Sequence, residues 1–180
     1  MKLTLFTLLI VVAACFAEIT LPSYYGDNMI IQRKSHVCIN GYTQLVNSKI
    51  TITMVNVFFH NTLSATADNQ GKFSACFDSP DASTQAFTMQ IVATDDNQSR
   101  ESISFDNLMF GDVYLCSGQS NMQMTVSNAF NASAEIASAN YDTLRIFTVR
   151  QNYSSTPQST LQHYLKVGWN SAQPSTVGGP

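Results

Sequence analysis

Ser120 stands between two amides, Gln119 and Asn121, two residues after Gly118, in the stretch FGDVYLCSGQSNMQM that covers residues 110–124. A hydroxyl in such a place is a candidate nucleophile. The run before it, DVYLC at residues 112–116, is apolar after Asp112 and reads as a strand covered on both faces. In open parallel sheets, active sites form beyond the carboxyl ends of the strands. Ser117, Gly118, Gln119 and Ser120 then fall on that edge, just before a helix. Gly118 lets the backbone turn, and N–H groups at the helix start could receive the charge of an oxyanion. The chemistry that fits is acyl transfer from a serine. The spacing is not the Gly-x-Ser-x-Gly elbow, because Met122 stands where the second glycine would be. On spacing alone, a serine that merely caps a helix is the simpler account.

The elements that would position this serine fall into two textures. From Glu18 to about Asn107, short runs rich in β-branched and aromatic residues alternate with turn residues. MIIQ, HVCIN, KITITMVNVFF, KFSACF, AFTMQIVA and ESISF are the strands, and ADNQGK, DSPDAS and TDDNQSR are the turns between them. Six or seven such strands predict an antiparallel β-sandwich of about ninety residues. After Met109 the texture changes. Residues 121–140 carry Met122, Val126, Ala129, Phe130 and Ile136 at loosely helical spacing, and LRIFTV at 144–149 reads as a further strand. Strand, turn, helix, strand is the opening unit of a parallel α/β fold. One such unit cannot bury both faces of its sheet. The expected organisation is therefore a leader at 1–17, a β-sandwich at 18–108, and the incomplete start of an α/β domain at 109–180.

The leader is read from MKLTLFTLLIVVAACFAEIT: one lysine, an apolar middle, and Cys15 and Ala17 before a cut at Glu18. This is the anatomy of a secretory signal peptide. The apolar run is short for a membrane anchor and no basic stop-transfer cluster follows, so no membrane attachment is expected after cleavage. With 44% apolar and 12% charged residues, the chain can build a core. Its net charge of −3 and pI near 5.4, with lysine and arginine scattered singly, exclude a basic footprint for nucleic acid. Cleavage leaves Cys38, Cys76 and Cys116. An oxidising compartment permits one pair among them, and Cys38 with Cys76 is a possibility the sequence does not decide. Cys116, in mid-strand, is expected to be a small buried hydrophobe. Sequons at Asn97, Asn131 and Asn152 are candidate N-glycosylation sites that suit the same route.

The block GDVYLCSGQSNMQMTV, residues 111–126, closely resembles the signature of the sialate O-acetylesterase family, within the SGNH (GDSL-like) hydrolases. LPSYYGDNMIIQR at 21–33, FNASAEIASANYDTLRIFTV at 130–149 and GWNSAQPSTVG at 168–178 resemble further segments of that family. The resemblance implies an SGNH-type α/β domain after the β-sandwich, and a secreted or lysosomal serine carboxylesterase. It also implies O-acetylated sialic acid or a sialoglycan as the substrate partner, and no metal or other cofactor. It singles out Ser120 over Ser117 as nucleophile, with Gly118, Gln119 and Asn121 shaping the loop around the oxyanion.

The same resemblance implies a later glycine, a later asparagine, and an Asp-x-x-His base. No aspartate of this chain has a histidine three residues on. The histidines are His36, His60 and His163, and His163 in LQHYL is expected to be structural. A serine without a positioned base loses about 10²–10⁴ in rate on that term alone. The chain is thus expected to be the first part of such an esterase and a poor catalyst as it stands. The alternatives are a secreted non-catalytic β-sandwich module carrying a relic of the motif, or an acetylesterase acting on another polysaccharide.

Overall fold

A computed structural model describes residues 18–149, 153–158, 161 and 168–178. The leader at 1–17, the sequon at Asn152 and His163 lie outside the described residues.

Strict alternation builds the first strands. In β3 (Lys49–Val55), Ile50, Ile52 and Met54 are fully buried, while Lys49 and Val55 face solvent. In β6 (Ser83–Thr94), Phe87, Met89, Ile91 and Ala93 are buried on the same period of two. The register sets like against like, with Ile52 opposite Ile91 and Met54 opposite Met89. Each such side chain stabilises the fold by roughly 1.5–3 kcal/mol when fully buried. The other neighbour of β3 is β4 (His60–Thr66), which pairs antiparallel with Leu63 opposite Ile52. Sequence patterning did not separate β4, because HNTLSAT has one large apolar residue and none of its positions is fully buried.

Along the other edge of β6 runs β7 (Arg100–Gly111), and β7 pairs in turn with β1 (Ile30–Gln32). The five-stranded sheet has the order β1-β7-β6-β3-β4. It is mixed rather than antiparallel throughout, since β1 runs parallel to β7. A second sheet consists of β2 (His36–Tyr42) and β5 (Lys72–Asp78), antiparallel in register. Its inner residues Ile39, Phe73, Ala75 and Phe77 join those of β3, β6 and β7 in one hydrophobic core. Phe110 ties that core together. It stacks on Phe87 with ring centroids 4.6 Å apart and meets Phe59 edge-on at 5.6 Å.

The β4–β5 turn depends on Gly71. Its φ is +78°, and a Cβ there would lie 2.0 Å from the carbonyl oxygen of Thr43, which no side chain tolerates. Cys38 and Cys76 lie directly opposite each other on β2 and β5 and form a disulfide.

After β7 the expected strand–helix–strand unit gives way to something looser. Residues 112–118 have no regular structure, and Tyr114 and Leu115 are more than four-fifths exposed. The buried end of β7 comes earlier, at Leu108, Met109 and Phe110, so the following apolar run finds no strand partner among the described residues. Cys116 is exposed, not buried. In place of one long helix there are two 3-10 turns, Ser120–Gln123 and Val126–Asn128, and a seven-residue α1 (Ala132–Ser138). The Asn and Ser residues of this stretch compete for backbone partners, and no described helix here buries a side chain. The next strand, β8 (Tyr141–Ile146), pairs antiparallel with β9 (Asn170–Ala172), so no parallel βαβ unit forms among the described residues. No described helix is long and apolar enough to cross a membrane.

The Tyr25 hydroxyl donates to the carbonyl oxygen of Cys38 at 3.2 Å, and burial pushes its phenol from 10.0 up to about 12. The fold therefore holds the neutral phenol more tightly than the unfolded chain does. This contribution is whole below pH 10.0 and drains away as pH rises towards about 12. Urea midpoints measured across that window are expected to fall more steeply for the wild-type chain than for Tyr25→Phe. Parallel slopes would show that the phenol is not the group responsible.

Candidate active site

The loop that carries Ser120 starts where β7 ends, and β1 pins that point. Gln32 pairs with Gly111, the Arg33 N–H donates to the Gly111 carbonyl at 2.9 Å, and the Val113 N–H donates to the Gln32 Oε1 at 2.8 Å. Arg33 Nε also donates to Asp112 Oδ1 at 2.9 Å. That hydrogen bond holds the Asp112 carboxyl below the usual carboxylate range and the Arg33 guanidinium above its own. Both side chains are exposed, so the pair orients the exit more than it stabilises the fold.

Gly118, Gln119, Ser120 and Asn121 lie together in the next turn, all exposed. Gln119 is extended, at φ −95° and ψ −159°, and acts as the N-cap of the 3-10 turn that Ser120 opens. Ser120 is thus the first helical residue and not the cap, which removes the simplest non-catalytic account of its type. The Met122 N–H closes the turn on the Gln119 carbonyl at 2.8 Å. Gly118 serves by its small size. Its φ lies outside the left-handed region, but a Cβ would sit 2.7 Å from Cγ of Met122. A turn of four residues lacks the aligned peptides of a long helix, so charge stabilisation here would come from individual N–H groups.

No hydrogen bond of the Ser120 hydroxyl is found among the described residues, and none links it to a histidine or carboxylate. His36 Nδ1 sits 2.9 Å from Asp78 Oδ1 on the β2–β5 ladder. His60 opens β4 and faces solvent. Of the candidate glycosylation sites, Asn97 is exposed in the β6–β7 turn, and Asn131 is exposed in a left-handed conformation (φ 56°) just before α1.

What the sequence reading missed is how the segment after Ser120 is tied back to the sheet. Arg145 on β8 is 9% exposed, and no carboxylate meets its guanidinium among the described residues. Its Nη1 donates to Asn28 Oδ1 at 3.1 Å, its Nη2 to Asn107 Oδ1 at 3.4 Å, and its Nε to the Asp142 carbonyl at 2.8 Å. Desolvation lowers its pKa, partly offset by the charge of Asp142. Asn28 and Asn107 are both left-handed, at φ 65° and 59°, and the Asn107 amide donates to Asn28 Oδ1 at 2.7 Å. Trp169 adds a bond from Nε1 to the Tyr24 carbonyl at 2.9 Å and packs on Phe147 at 5.4 Å. A lone arginine inside LRIFTV was the available signal.

Arg145→Ala removes hydrogen bonds from a buried cation, each worth about 1.5–3 kcal/mol. Amide exchange across Tyr141–Ile146 is expected to accelerate while Ile50, Ile52 and Ile91 keep their protection. Uniform acceleration through the sheet would mean that Arg145 supports the whole core instead.

No family model matches the chain. It is 64% identical over 44 residues to the sialate O-acetylesterase of Mus musculus, covering 24% of this chain and 8% of that protein. It is 51% identical over 57 residues to the sialate O-acetylesterase of Homo sapiens, covering 29% and 11%. The matches thus span about a tenth of the length of these relatives. Among solved structures it is similar to a carbohydrate acetylesterase from Xanthomonas citri, with a TM-score of 0.74 and 24% identity. That similarity covers 89% of this chain and 34% of the other, and it shows a shared fold.

Proposed function

We propose that this chain is the nucleophile-bearing first part of a serine O-acetylesterase acting on acetylated carbohydrate, with O-acetylated sialic acid or a sialoglycan as substrate. The observation that carries the reading is the 51–64% local identity to sialate O-acetylesterases. The shared fold with a carbohydrate acetylesterase supports it. In this reading the two sheets around the common core are a β-sandwich, and the chain after β7 begins an SGNH-type α/β domain. Its route is secretory, to the cell exterior or the lysosome.

Ser120 Oγ attacks the acetyl carbonyl, and its proton passes to a base supplied from outside the described residues. The carbonyl oxygen takes the negative charge and is met by N–H groups of the Gly118–Asn121 loop. Collapse of the tetrahedral species breaks the ester C–O bond, and the sugar oxygen leaves with a proton as the free hydroxyl. Water then adds to the acetyl-serine, releases acetate and restores the hydroxyl of Ser120. Gly118 gives the turn its room, and Gln119 and Asn121 hold the serine in it.

A base absent from the described surroundings of Ser120 also favours a second reading, a secreted non-catalytic module. One assay separates the two: acetate release from O-acetylated sialic acid and from acetylated xylan by the purified full chain. Slow release that prefers the sialic acid and disappears in Ser120→Ala is expected. Release untouched by Ser120→Ala would exclude this serine as nucleophile, and no release from either chain would favour the non-catalytic module. For the route, protein recovered from the medium of secreting cells should begin at Glu18 by amino-terminal sequencing. Retention of residues 1–17 would contradict it.

A further inference from the structure

The β2–β5 ladder carries a second set of reactive side chains, separate from Ser120. Its core-facing positions are Val37 opposite Phe77, Ile39 opposite Ala75, and Gly41 opposite Phe73. Its outward positions include His36 opposite Asp78 and Cys38 opposite Cys76, with Asn40 opposite Ser74 and Tyr42 opposite Lys72 further along. Because side chains alternate along each strand, His36, Asp78, Cys38 and Cys76 project from one face in two adjacent cross-strand pairs. Ligand atoms of His36, Cys38 and Cys76 lie within 4.8 Å of one another. Cys76 and Asp78 are exposed, so the face is open to solutes.

We propose that this face is a redox-gated site for a zinc-class divalent cation, with His36, Cys38 and Cys76 as its protein ligands. In the disulfide form the two sulfurs bind each other and offer no thiolate. A dithiol reductant opens the site: its two electrons break the Cys38–Cys76 bond, it becomes a disulfide itself, and two thiols remain on the ladder. Binding of the cation then releases the two thiol protons to solvent.

A tetrahedral zinc with thiolate and imidazole ligands sets those atoms roughly 3.3–3.8 Å apart. Rotation of the two cysteine side chains on a fixed ladder reaches that spacing without moving a strand. Asp78 acts as a positioning residue. Its Oδ1 lies 2.9 Å from His36 Nδ1, which holds the ring and leaves Nε2 for the metal, the arrangement of carboxylate–histidine–zinc sites. The fourth position faces solvent, so an exogenous ligand can complete the coordination. The apolar pairs beneath, with Phe73, Ala75 and Phe77 buried, keep β2 on β5 when the sulfurs part.

The test uses the full chain with Cys15→Ser and Cys116→Ser, so that Cys38 and Cys76 are its only cysteines. The disulfide is reduced with a phosphine, which takes up a water oxygen as phosphine oxide. Cobalt(II) is then titrated, followed by its displacement with zinc. One equivalent of cobalt is expected to give the intense visible bands of tetrahedral coordination and a thiolate charge-transfer band, both absent from the oxidised chain. Cys76→Ser should abolish the charge-transfer signature of the pair. His36→Ala should weaken zinc by about 10–100-fold, and Asp78→Asn should weaken it less. Any of three results overturns the proposal: no thiolate band, equal affinity in the oxidised chain, or unchanged affinity in His36→Ala. So does loss of the far-UV strand signal on reduction before metal is added, since the ladder would then not survive as a scaffold.

Discussion

The junction between the sheet and the Ser120 segment depends on the buried end of β7. Three consecutive residues, Leu108, Met109 and Phe110, are buried where most of the strand buries only alternate positions. A strand end enclosed on both sides needs a hydrogen-bonding neighbour along each edge. On one edge β6 supplies it, with shifts of register between Ser83 and Met89 that let the two strands curve around the core. On the other edge β1 supplies it, three residues long and parallel, although its residues lie 79 positions before their partners in the chain. Phe110 at this junction stacks on Phe87 and meets Phe59 and Phe77 edge-on. The place where the chain leaves the sheet is thereby set, and with it the origin of the Ser120 loop.

Beyond that point the energetics change character. The β-strand region is held by apolar burial with a few buried polar links, such as the Thr43 hydroxyl donating to Glu101 at 2.7 Å. The region after Gly111 is held by polar contacts at its ends. Arg33, Gln32 and Asp112 secure its start, and Arg145, Asn28, Asn107 and Trp169 secure β8 and β9 against the turn at 27–28 and the irregular step of β7 at 106–107. Between these anchors Tyr114, Leu115, Met124 and Phe130 remain exposed. A nucleophile on such a segment is well placed in space at its two ends and lightly constrained in the middle. Catalysis of acyl transfer requires the opposite, a serine held against a base within hydrogen-bond reach. The need for further contacts around Ser120 is thus physical, and does not rest on family likeness.

The two proposed sites also sit on supports of different stiffness. Ser120 occupies a one-turn helix with solvent on its flanks. His36, Cys38, Cys76 and Asp78 occupy a continuous antiparallel ladder whose other face is core. A ladder with its apolar side buried keeps its register, because a slip of one residue would turn Phe73 and Phe77 out to water. Side chains placed on it keep their spacing through a change of chemical state that would disorder a loop.

By itself, the sequence determined the β-rich first part, while only its resemblance to a known family, and not the spacing, pointed to Ser120. Alternation in KITITMV and KFSACFD, broken by turns such as ADNQGK, is a local signal, and local signals report which residues must face inward. The tertiary structure decided what depends on neighbours far along the chain. HNTLSAT became β4 because β3 offered it an edge, while DVYLC stayed out of a sheet because the described residues offered it none. Cys38 met Cys76 because register placed them opposite each other, and the lone arginine of LRIFTV was buried because two left-handed asparagines turned their amide oxygens towards it. Apolar patterning tells a segment that it must be covered. Only the assembled sheet, by satisfying backbone and side-chain donors across long sequence separations, decides what covers it.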